Sequence, residues 1–268
     1  MAQTDRLTAP TALNLATNSV VLLRLAIVAI VLATWQAVAD SGLLFRDVVP
    51  SLVAIFRALV NLLADDRFYT HLEATAFEVG IAMLVGGGLG LLVGLVLGAN
   101  RLLGKAFEPY LYYLGPTPKI IFFPVMIMWF GVGPPSKIAM GAISCFFPIA
   151  LSVAAGMRQI NPVLISVGRS FRAAAWQMAV KIYLPAMRHP IVNGARLGLG
   201  VAIIGTVLAE TKLSNRGIGF LIINSYNTFN MPRMYALLIV LFALAIGANA
   251  AIGRVSGSKP RHRLAGLS

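Results

Sequence analysis

The segment Arg158–Arg188, RQINPVLISVGRSFRAAAWQMAVKIYLPAMR, separates two long apolar stretches and decides how the whole sequence is interpreted. No aspartate or glutamate occurs between residues 109 and 209, so the segment is basic throughout. Its basic residues are Arg158, Arg169, Arg172, Lys181 and Arg188. Apolar residues recur at helical spacing, namely Leu164, Val167, Phe171, Ala174, Met178 and Ile182. With Asn161 as N-cap and Pro162 at the first helical position, we predict an amphipathic helix over residues 162–181.

The composition is that of an integral membrane protein. The chain has 268 residues, of which 58% are hydrophobic and 12% are charged, against about 25% charge in a soluble domain. The net charge of +13 comes from basic residues at the ends of apolar stretches, which is typical of membrane topology and argues against nucleic-acid binding. The single cysteine, Cys145, lies in an apolar run and has no partner within the chain for a disulfide.

Six stretches approach the length of about 20 apolar residues that crosses a bilayer. They cover residues 20–39, 79–100, 107–130, 138–157, 189–209 and 234–253. We therefore predict an all-α integral membrane protein with about six transmembrane helices. Its membrane domain spans residues 20–255, after a cytoplasmic segment over residues 1–19 and before a basic cytoplasmic tail over residues 256–268.

The distribution of lysine and arginine sets the orientation. With the amino terminus inside, the inward connections contain Arg101 and Lys105, the basic segment described above, and the basic residues of the tail. Four acidic residues (Asp40, Asp47, Asp65 and Asp66) offset the basic residues of the first outward connection. The bias predicts a multi-pass protein with both ends in the cytoplasm.

Two features predict local structure outside the basic segment. Gly86, Gly90, Gly94 and Gly98 recur every fourth residue in the second span, which predicts close contact with another helix. Residues 50–63 carry apolar residues on one helical face, which indicates either a helix at the outer membrane interface or an ordinary capped loop helix. The acidic residues Glu73, Glu78 and Glu108 are expected to cap helices or pair locally.

Three ionisable residues in or at the ends of spans are candidates for a transport pathway. Lys119 follows two prolines in the third span, which predicts a broken helix that lines a cavity or a lysine that reaches the interface. Arg196 lies inside the fifth span, and Glu210 ends it. They are 14 residues apart, roughly 21 Å along a helix, so they do not pair directly. A structural tie between spans is the alternative role for Arg196 and Glu210.

Motifs of catalysis, metal binding and ATP binding are missing from the sequence. The three histidines (His71, His189 and His262) are far apart and have no partners at metal-ligand spacing. The stretch from Gly98 to Lys105 has five residues between its glycines where a phosphate loop has four, and Ala106 replaces the Ser/Thr that would hold magnesium. We expect no catalytic, metal or cofactor site in this chain.

Several motifs together resemble the permeases of binding-protein-dependent ABC importers. Residues 166–185, SVGRSFRAAAWQMAVKIYLP, are similar to the EAA loop of that family and end in its Ile-x-Leu-Pro pattern. The sulfonate/nitrate/taurine branch is resembled by further stretches, namely Pro116-Thr117-Pro118-Lys119, Trp129-Phe130-Gly131-Val132-Gly133, Phe146-Phe147-Pro148-Ile149, Gly194-Ala195-Arg196-Leu197-Gly198 and Ala209-Glu210. The similarity covers most of the chain.

The resemblance implies a type I importer permease (MetI-like) fold and a permease homodimer that moves a small solute, with sulfonate, nitrate or a similar anion favoured. A cytoplasmic ATPase dimer would bind ATP and Mg²⁺, and a periplasmic or lipid-anchored binding protein would deliver the solute. The resemblance places ATPase coupling on Ser166, Gly168, Arg169, Phe171, Arg172 and Ala173.

Two residues depart from the family pattern within the EAA loop. Ser166 replaces the family glutamate, and Arg172 replaces the family glycine. Because arginine lacks the conformational freedom of glycine, we expect either a partner ATPase with a matching, acidic surface or an altered coupling. The alternative function is a self-contained secondary transporter or channel that uses Lys119, Arg196 and Glu210 as an ion relay.

Overall fold

The computed structural model describes residues 9–42 and 48–255 and consists of helices and their connections in those residues. Five described helices are long and apolar enough to cross a membrane. They are α1 (Ala9–Ser41), α3 (Asp66–Ala99), α6 (Pro134–Arg158), α10 (Arg188–Lys212) and α12 (Met231–Val255). The predicted all-α membrane architecture is thus confirmed, whereas the tail over residues 256–268 lies outside the described residues. Helix α1 begins at Ala9, within the segment over residues 1–19 that we predicted to precede the membrane domain.

The third predicted span is not a single helix. Helix α4 (Arg101–Leu114) is followed by a 3-10 turn (Lys119–Phe122) and helix α5 (Phe123–Phe130), and the two halves are bent by 92°. Pro116 and Pro118 lie at the break, because proline donates no backbone hydrogen bond and disfavours helical geometry in the residue before it. The pair counts as a broken span or a re-entrant loop.

Contacts divide the described chain into two compact units. One unit reaches to Ala64 and includes Ser225–Ala236. In it, helix α2 (Leu52–Leu63) begins at the N-cap Ser51, whose side chain accepts a hydrogen bond from the amide of Ala54. The Trp35 indole donates to the carbonyl of Pro50 at 3.1 Å and packs edge-on against Tyr235. The short helix predicted over residues 50–63 is therefore present.

The second unit comprises Asp65–Asn224 and the chain from Leu237 onward, and helices α3 and α6 form its centre. The four glycines at every fourth position of α3 (Gly86, Gly90, Gly94 and Gly98) face α6, which confirms the predicted close contact with another helix. A Cβ atom at Gly90 would lie 2.7 Å from the carbonyl oxygen of Phe146, and one at Gly94 would lie 2.6 Å from that of Ala150. Since real Cβ atoms essentially never approach this closely, glycine is required for the two backbones to meet.

Helix α10 completes this centre by packing on α6 and α3. Glycines of α10 allow the same close approach to α6. A Cβ atom at Gly198 would collide with Ile149, and one at Gly205 would collide with Ser144. Cys145 is fully buried between the helices and donates weakly to the carbonyl of Ala82. The three helices thus form a close-packed core with polar groups at its ends.

The chain between α6 and α10 forms several short segments. Helix α7 (Pro162–Ser170) is followed by a turn, helix α8 (Ala175–Met178), a π-helical segment (Ala179–Tyr183) and helix α9 (Leu184–Ala186). The single helix predicted over residues 162–181 is therefore interrupted after Ser170. Helix α11 (Ile218–Asn227) joins the other end of α10 to α12.

Candidate functional site

Helix α7 begins where the sequence predicts. The Asn161 side chain accepts a hydrogen bond from the amide of Val163 at 2.9 Å, and Pro162 occupies the first helical position. The asparagine satisfies an amide that the helix leaves unpaired, and the proline has no amide to satisfy. Both ends of the surrounding segment are tied down, since Ser152 on α6 donates to the carbonyl of Pro190 on α10.

Helix α7 ends in a Schellman motif centred on Arg172. Arg172 has a φ of +48°, in the left-handed region that glycine usually occupies. Its amide donates to the carbonyl of Arg169 at 2.9 Å, and the amide of Ala173 donates to the carbonyl of Gly168 at 3.0 Å. Arg172 therefore occupies the left-handed position of the turn, where glycine is the usual residue. These two hydrogen bonds hold Arg172 in the left-handed conformation. The altered coupling or matching ATPase surface that we expect from this residue stays a prediction.

Gly168 is the contact point between α7 and the segment that follows the turn. It is buried, and a Cβ atom there would lie 2.5 Å from both Met178 and Ile182. The chain therefore doubles back on itself after residue 170. This folding separates the apolar residues that we had placed on one stripe: Met178 is buried, whereas Leu164, Val167 and Phe171 are exposed.

The residues assigned to ATPase coupling mostly lie on the exposed side of α7 and its turn. Ser166, Arg169, Phe171 and Arg172 are exposed, Ala173 is half-buried and only Gly168 is buried. Phe171 is 82% exposed, which is unusual for a large apolar side chain without a partner. Apart from Gly168, the set forms one accessible surface, which we call the α7 surface.

The π-helical segment overlaps the Ile-x-Leu-Pro end of the loop, since it includes Ile182 and Tyr183. The amide of Leu184 donates to the carbonyl of Ala179, one residue farther back than in an α-helix. Pro185 follows and donates no amide of its own, which favours such a change in the hydrogen-bond pattern. Met187 is fully buried and fixes the entry into α10.

Lys119 folds back onto the broken third span. Its ammonium donates to the carbonyls of Gly115 and Thr117 and lies 5.1 Å from the centre of the Phe147 ring. Carbonyls near a proline break lose their helical partners, and the lysine satisfies two of them. The side chain is half-buried, and its local contacts stabilise the break.

Glu210 is fully buried and binds the loop after α10. One carboxyl oxygen accepts a hydrogen bond from the Thr75 hydroxyl, and the other accepts one from the amide of Gly219, each at 2.6 Å. Gly219 is the second residue of α11, so the carboxyl group caps that helix. Gly217, with a φ of +106°, lies so close that any side chain there would collide with the Glu210 carboxyl group.

A buried ion pair continues the same polar cluster. The Lys137 ammonium lies 3.1 Å from a carboxyl oxygen of Glu78, and both side chains are almost completely inaccessible. Lys137 also donates to the Ser214 hydroxyl at 2.7 Å, and the Glu78 carboxyl group lies beside that of Glu210. The Thr75 hydroxyl accepts the amide of Ile218 at 2.8 Å. We call this set of residues (Thr75, Glu78, Lys137, Glu210, Ser214 and the amides of Ile218 and Gly219) the polar cluster.

The polar cluster fastens α3, α6 and α10 to the loop that leads into α11. His71 adds a further tie, since its Nδ1 accepts the amide of Gly217 at 3.2 Å. We expected Glu78 and Glu108 to cap helices or pair locally, and for these two residues this was wrong. Glu78 pairs 59 residues away, and Glu108 pairs with Arg158 at the far end of α6.

Lys137 was missed as a candidate in the sequence. It lies in the first turn of α6, and Glu78 lies just before the apolar stretch of α3. The predicted topology places the starts of both spans on the same side of the membrane, together with the end of the span that contains Glu210. Opposite charges at the same end of neighbouring spans were therefore a usable signal.

Arg196 has partners different from those of the other two pathway candidates. Its guanidinium lies against Gly253 of α12, where any side chain would collide with it, and its Nε has no hydrogen-bond partner among the described residues. None of the hydrogen bonds or ion pairs of the described residues joins Lys119, Arg196 and Glu210 to one another. The three residues therefore do not form a single site.

Comparison with known proteins identifies the family. Residues 86–256 match the family described as binding-protein-dependent transport system inner membrane component. The chain is 30% identical over 212 residues to a putative aliphatic sulfonates transport permease protein of Bacillus subtilis, covering 79% of this chain and 77% of that one. It is 28% identical over 207 residues to the taurine transport system permease protein of Escherichia coli, covering 75% of each.

The fold agrees with this result. An inward-facing structure of the MetNI methionine ABC transporter contains a chain that matches with a TM-score of 0.59 at 21% identity, covering 73% of this chain and 94% of that one. The predicted MetI-like fold is thereby confirmed, and so is the predicted resemblance. The chain belongs to the family of binding-protein-dependent transport system inner membrane components, the permease subunits of ABC importers.

Proposed function

We propose that two copies of this permease enclose a solute path and that two cytoplasmic ATPase subunits dock on the α7 surfaces. The observation that carries this proposal is the exposure of Phe171 and its apolar neighbours beside two arginines, on a segment whose base is fixed between α6 and α10. Large exposed apolar side chains next to arginine are typical of the centres of protein interfaces.

The orientation follows from the charges around that segment. The connection between α6 and α10 is basic and free of acidic residues, and the end of α12 carries Arg254. We therefore place α7 and both termini in the cytoplasm and the polar cluster at the outer side of a bacterial inner membrane. In this orientation, closure of the ATPases would pull or push directly on the ends of α6 and α10.

ATP and Mg²⁺ belong in this scheme to the partner ATPase, and this chain supplies no ATP site of its own. A periplasmic or lipid-anchored binding protein delivers the solute at the outer side. ATP hydrolysis then occurs in the ATPase and transport occurs in the permease. The fixed base of α7 supports this arrangement, because a rigidly held α7 transmits movement of the ATPase to the membrane helices.

We propose a small anion as the solute, with sulfonates and nitrate as the first candidates. The relatives named for aliphatic sulfonates and taurine support this class, as does a nitrate import permease protein of Synechococcus elongatus that is 28% identical over 169 residues. Of the pathway candidates, Lys119 is the residue that we assign to the path, because it lies at the break in the third span. Glu210 is already bound to Thr75 and Gly219, and Arg196 faces α12.

The docking proposal is tested by the variant Phe171→Glu in a reconstituted complex of permease, ATPase and binding protein. We expect the stimulation of ATP hydrolysis by the loaded binding protein to be lost, because a charge replaces the most exposed apolar side chain of the α7 surface. Phe171→Leu should keep most of the stimulation. Arg101→Glu, which alters an exposed charge on the same side of the membrane, serves as the control.

Stimulation that persists in Phe171→Glu would overturn the assignment of the α7 surface. Solute flux driven by an ion gradient, with the purified permease alone in liposomes, would overturn the importer mechanism and support the secondary transporter. Transport of a neutral solute with no response to Lys119→Gln would leave the importer in place and remove the anion proposal.

A further inference from the structure

The polar cluster contains two carboxyl groups that lie beside each other. Glu78 on α3 and Glu210 on α10 are within hydrogen-bonding reach of one another, and both side chains are almost completely buried. A hydrogen bond needs a donor, whereas two ionised carboxylates supply only acceptors. Close contact between the two groups is therefore favourable only when one of them carries a proton.

One oxygen of this pair has no other partner. Both carboxyl oxygens of Glu210 accept hydrogen bonds, from the Thr75 hydroxyl and the Gly219 amide. Oε1 of Glu78 accepts one from Lys137, but Oε2 of Glu78 is buried and has no hydrogen-bond donor among the described residues. A buried oxygen without a partner is costly. A proton on Oε2 would make this oxygen a donor to the Glu210 carboxylate, whose oxygens have further lone pairs.

The charges that face the pair favour the same protonation state. On α6, the buried Lys137 ammonium contacts Glu78. On α3, the Nδ1 atom of His71 accepts a hydrogen bond from the Gly217 amide and therefore carries no proton. In the loop before α11, Arg216 is exposed, and the start of α11 offers backbone amides. Two buried carboxylates beside one buried ammonium would leave an excess negative charge that water cannot solvate, and one proton removes it.

We infer that Glu78 and Glu210 share one proton, which helps to hold the start of α11 against α3 and α10. Protonated Glu78 donates from Oε2 to the Glu210 carboxylate, while its Oε1 accepts from Lys137. Glu210 keeps a negative charge beside the amides of α11, whose partial positive charge favours it. The inference concerns the permease by itself, and it does not depend on the docking of an ATPase or on the nature of the solute.

The shared proton makes the polar cluster sensitive to pH. When the pH rises and the pair loses its proton, two negative charges face each other in a buried site. The contact between α3 and α10 then becomes repulsive, and the amides held by Thr75 and Glu210 become less protected. The part of the α11 attachment that depends on the pair is thus present at low pH and lost as the pH rises. His71 responds in the opposite sense, because protonation at Nδ1 removes the acceptor of the Gly217 amide.

The first test is infrared spectroscopy of the full chain in liposomes, with glutamate isotopically labelled at its side-chain carboxyl carbon. At neutral pH we expect the carbonyl band of a protonated carboxyl group, which the label shifts because the band arises from glutamate. The band should disappear as the pH is raised. Glu78→Gln and Glu210→Gln should each remove it, since a single carboxyl group beside Lys137 has no second carboxylate with which to share a proton. Glu73→Gln, at an exposed glutamate of the same helix as Glu78, should leave the band unchanged.

The second test is hydrogen exchange at the Gly219 amide, measured relative to an unfolded peptide at the same pH. In the wild type, protection should fall at least about tenfold from neutral to alkaline pH, because two like charges in contact repel strongly away from water. Glu78→Gln should stay protected throughout this range. Its amide group copies protonated Glu78, since the oxygen accepts from Lys137 and the nitrogen donates to Glu210. The range excludes acidic pH, where protonation of His71 would contribute.

Three results would overturn the shared proton. They are a wild-type spectrum without the glutamate band, a band that persists in Glu78→Gln, and a loss of protection in Glu78→Gln as large as in the wild type. The last result would assign the pH response to Lys137. Protection at alkaline pH that depends on the sodium concentration, together with a missing band, would overturn the proton in favour of a bound cation. Because the wild-type band needs no variant, the inference can be tested even if Glu78→Gln does not fold.

Discussion

The α7 surface and the polar cluster lie at opposite ends of α6 and α10. The first exposes large apolar side chains, whereas the second buries charged ones. On the α7 surface, large apolar side chains such as Phe171 are exposed. In the polar cluster, Lys137, Glu78 and Glu210 are buried and bonded to one another or to the loop before α11. One end leaves large apolar side chains exposed, and the other satisfies nearly all its polar groups internally.

This difference predicts different consequences for substitutions. If the α7 surface is the ATPase docking site that we propose, a change there alters contact with the ATPase and leaves the isolated permease folded. A change in the polar cluster leaves buried charges or amides without partners, and these have no water to replace what is lost.

Lys137→Met should cause the largest loss of stability. It removes the partner of a buried carboxyl group, and an unpaired buried charge costs about 3–5 kcal/mol. The measurement is the free energy of unfolding in mixed micelles, obtained by titration with a denaturing detergent. Lys212→Met, at an exposed lysine on the same side of the membrane, should have almost no effect.

The double variant Lys137→Met with Glu78→Leu sharpens this prediction. Because it removes both charges, most of the lost stability should return. A double variant as unstable as the single one would show that packing around Lys137, rather than its charge, stabilises the cluster. The comparison between the two ends would then lose its electrostatic basis.

Thr75→Val should have an intermediate effect. The valine keeps the shape of threonine but leaves a Glu210 oxygen and the Ile218 amide without their partner, at about 1–3 kcal/mol. Hydrogen exchange at the amides of Ile218 and Gly219 should become faster, because the start of α11 is no longer fastened. Thr75→Ser should exchange as the wild type does.

Thr70→Val provides the matched control for this variant. Thr70 lies on the same helix but is exposed, and its hydroxyl donates only to the carbonyl of Arg67. If Thr70→Val accelerates exchange in α11 as much as Thr75→Val does, the Thr75 hydroxyl does not hold that loop.

Much of the membrane architecture follows from the sequence because it depends on local features. The length of apolar runs predicted five of the six spans as single helices, and the glycine spacing of α3 predicted close contact with another helix, which is α6 in the structure. The sequence predicted a broken helix at Pro116 and Pro118. It did not predict that the two halves would differ in direction by 92°. Bending depends on what the freed carbonyls contact, and here the Lys119 side chain supplies that contact.

The polar cluster was harder to predict because it joins residues far apart in sequence. Glu78 and Lys137 are 59 positions apart, and Thr75 and Glu210 are 135 apart. Glu210 was selected for its position in a span, yet its role as the cap of α11 depends on where Gly219 lies. Charge spacing alone contains no information about that amide.

In the basic segment the prediction failed for a different reason, because a local helical pattern was extended across a turn. Helical spacing from Leu164 to Ile182 predicted one continuous helix, but the chain turns at Arg172. Periodicity continues through a short turn when the two flanking segments pack on each other. The contact of Gly168 with Met178 and Ile182 is such a case.

Arg172→Gly is expected to have the smallest effect, and a stabilising one. Arginine in the left-handed conformation costs on the order of 1 kcal/mol relative to glycine, so glycine should slow hydrogen exchange at the Ala173 amide roughly fivefold. Arg169→Gly makes the same chemical change within the helix, where glycine is unfavourable, and should speed exchange at the Ala173 amide.

Arg172→Asn removes the charge of the arginine but keeps a residue that suits the turn, because asparagine tolerates this backbone geometry better than most residues do. Faster exchange in Arg172→Gly would mean that contacts of the arginine side chain, rather than the two backbone hydrogen bonds, hold the turn. If exchange at the Ala173 amide slows in Arg172→Asn while ATPase stimulation falls, then Arg172 contributes to coupling with the ATPase and destabilises the turn at the end of α7.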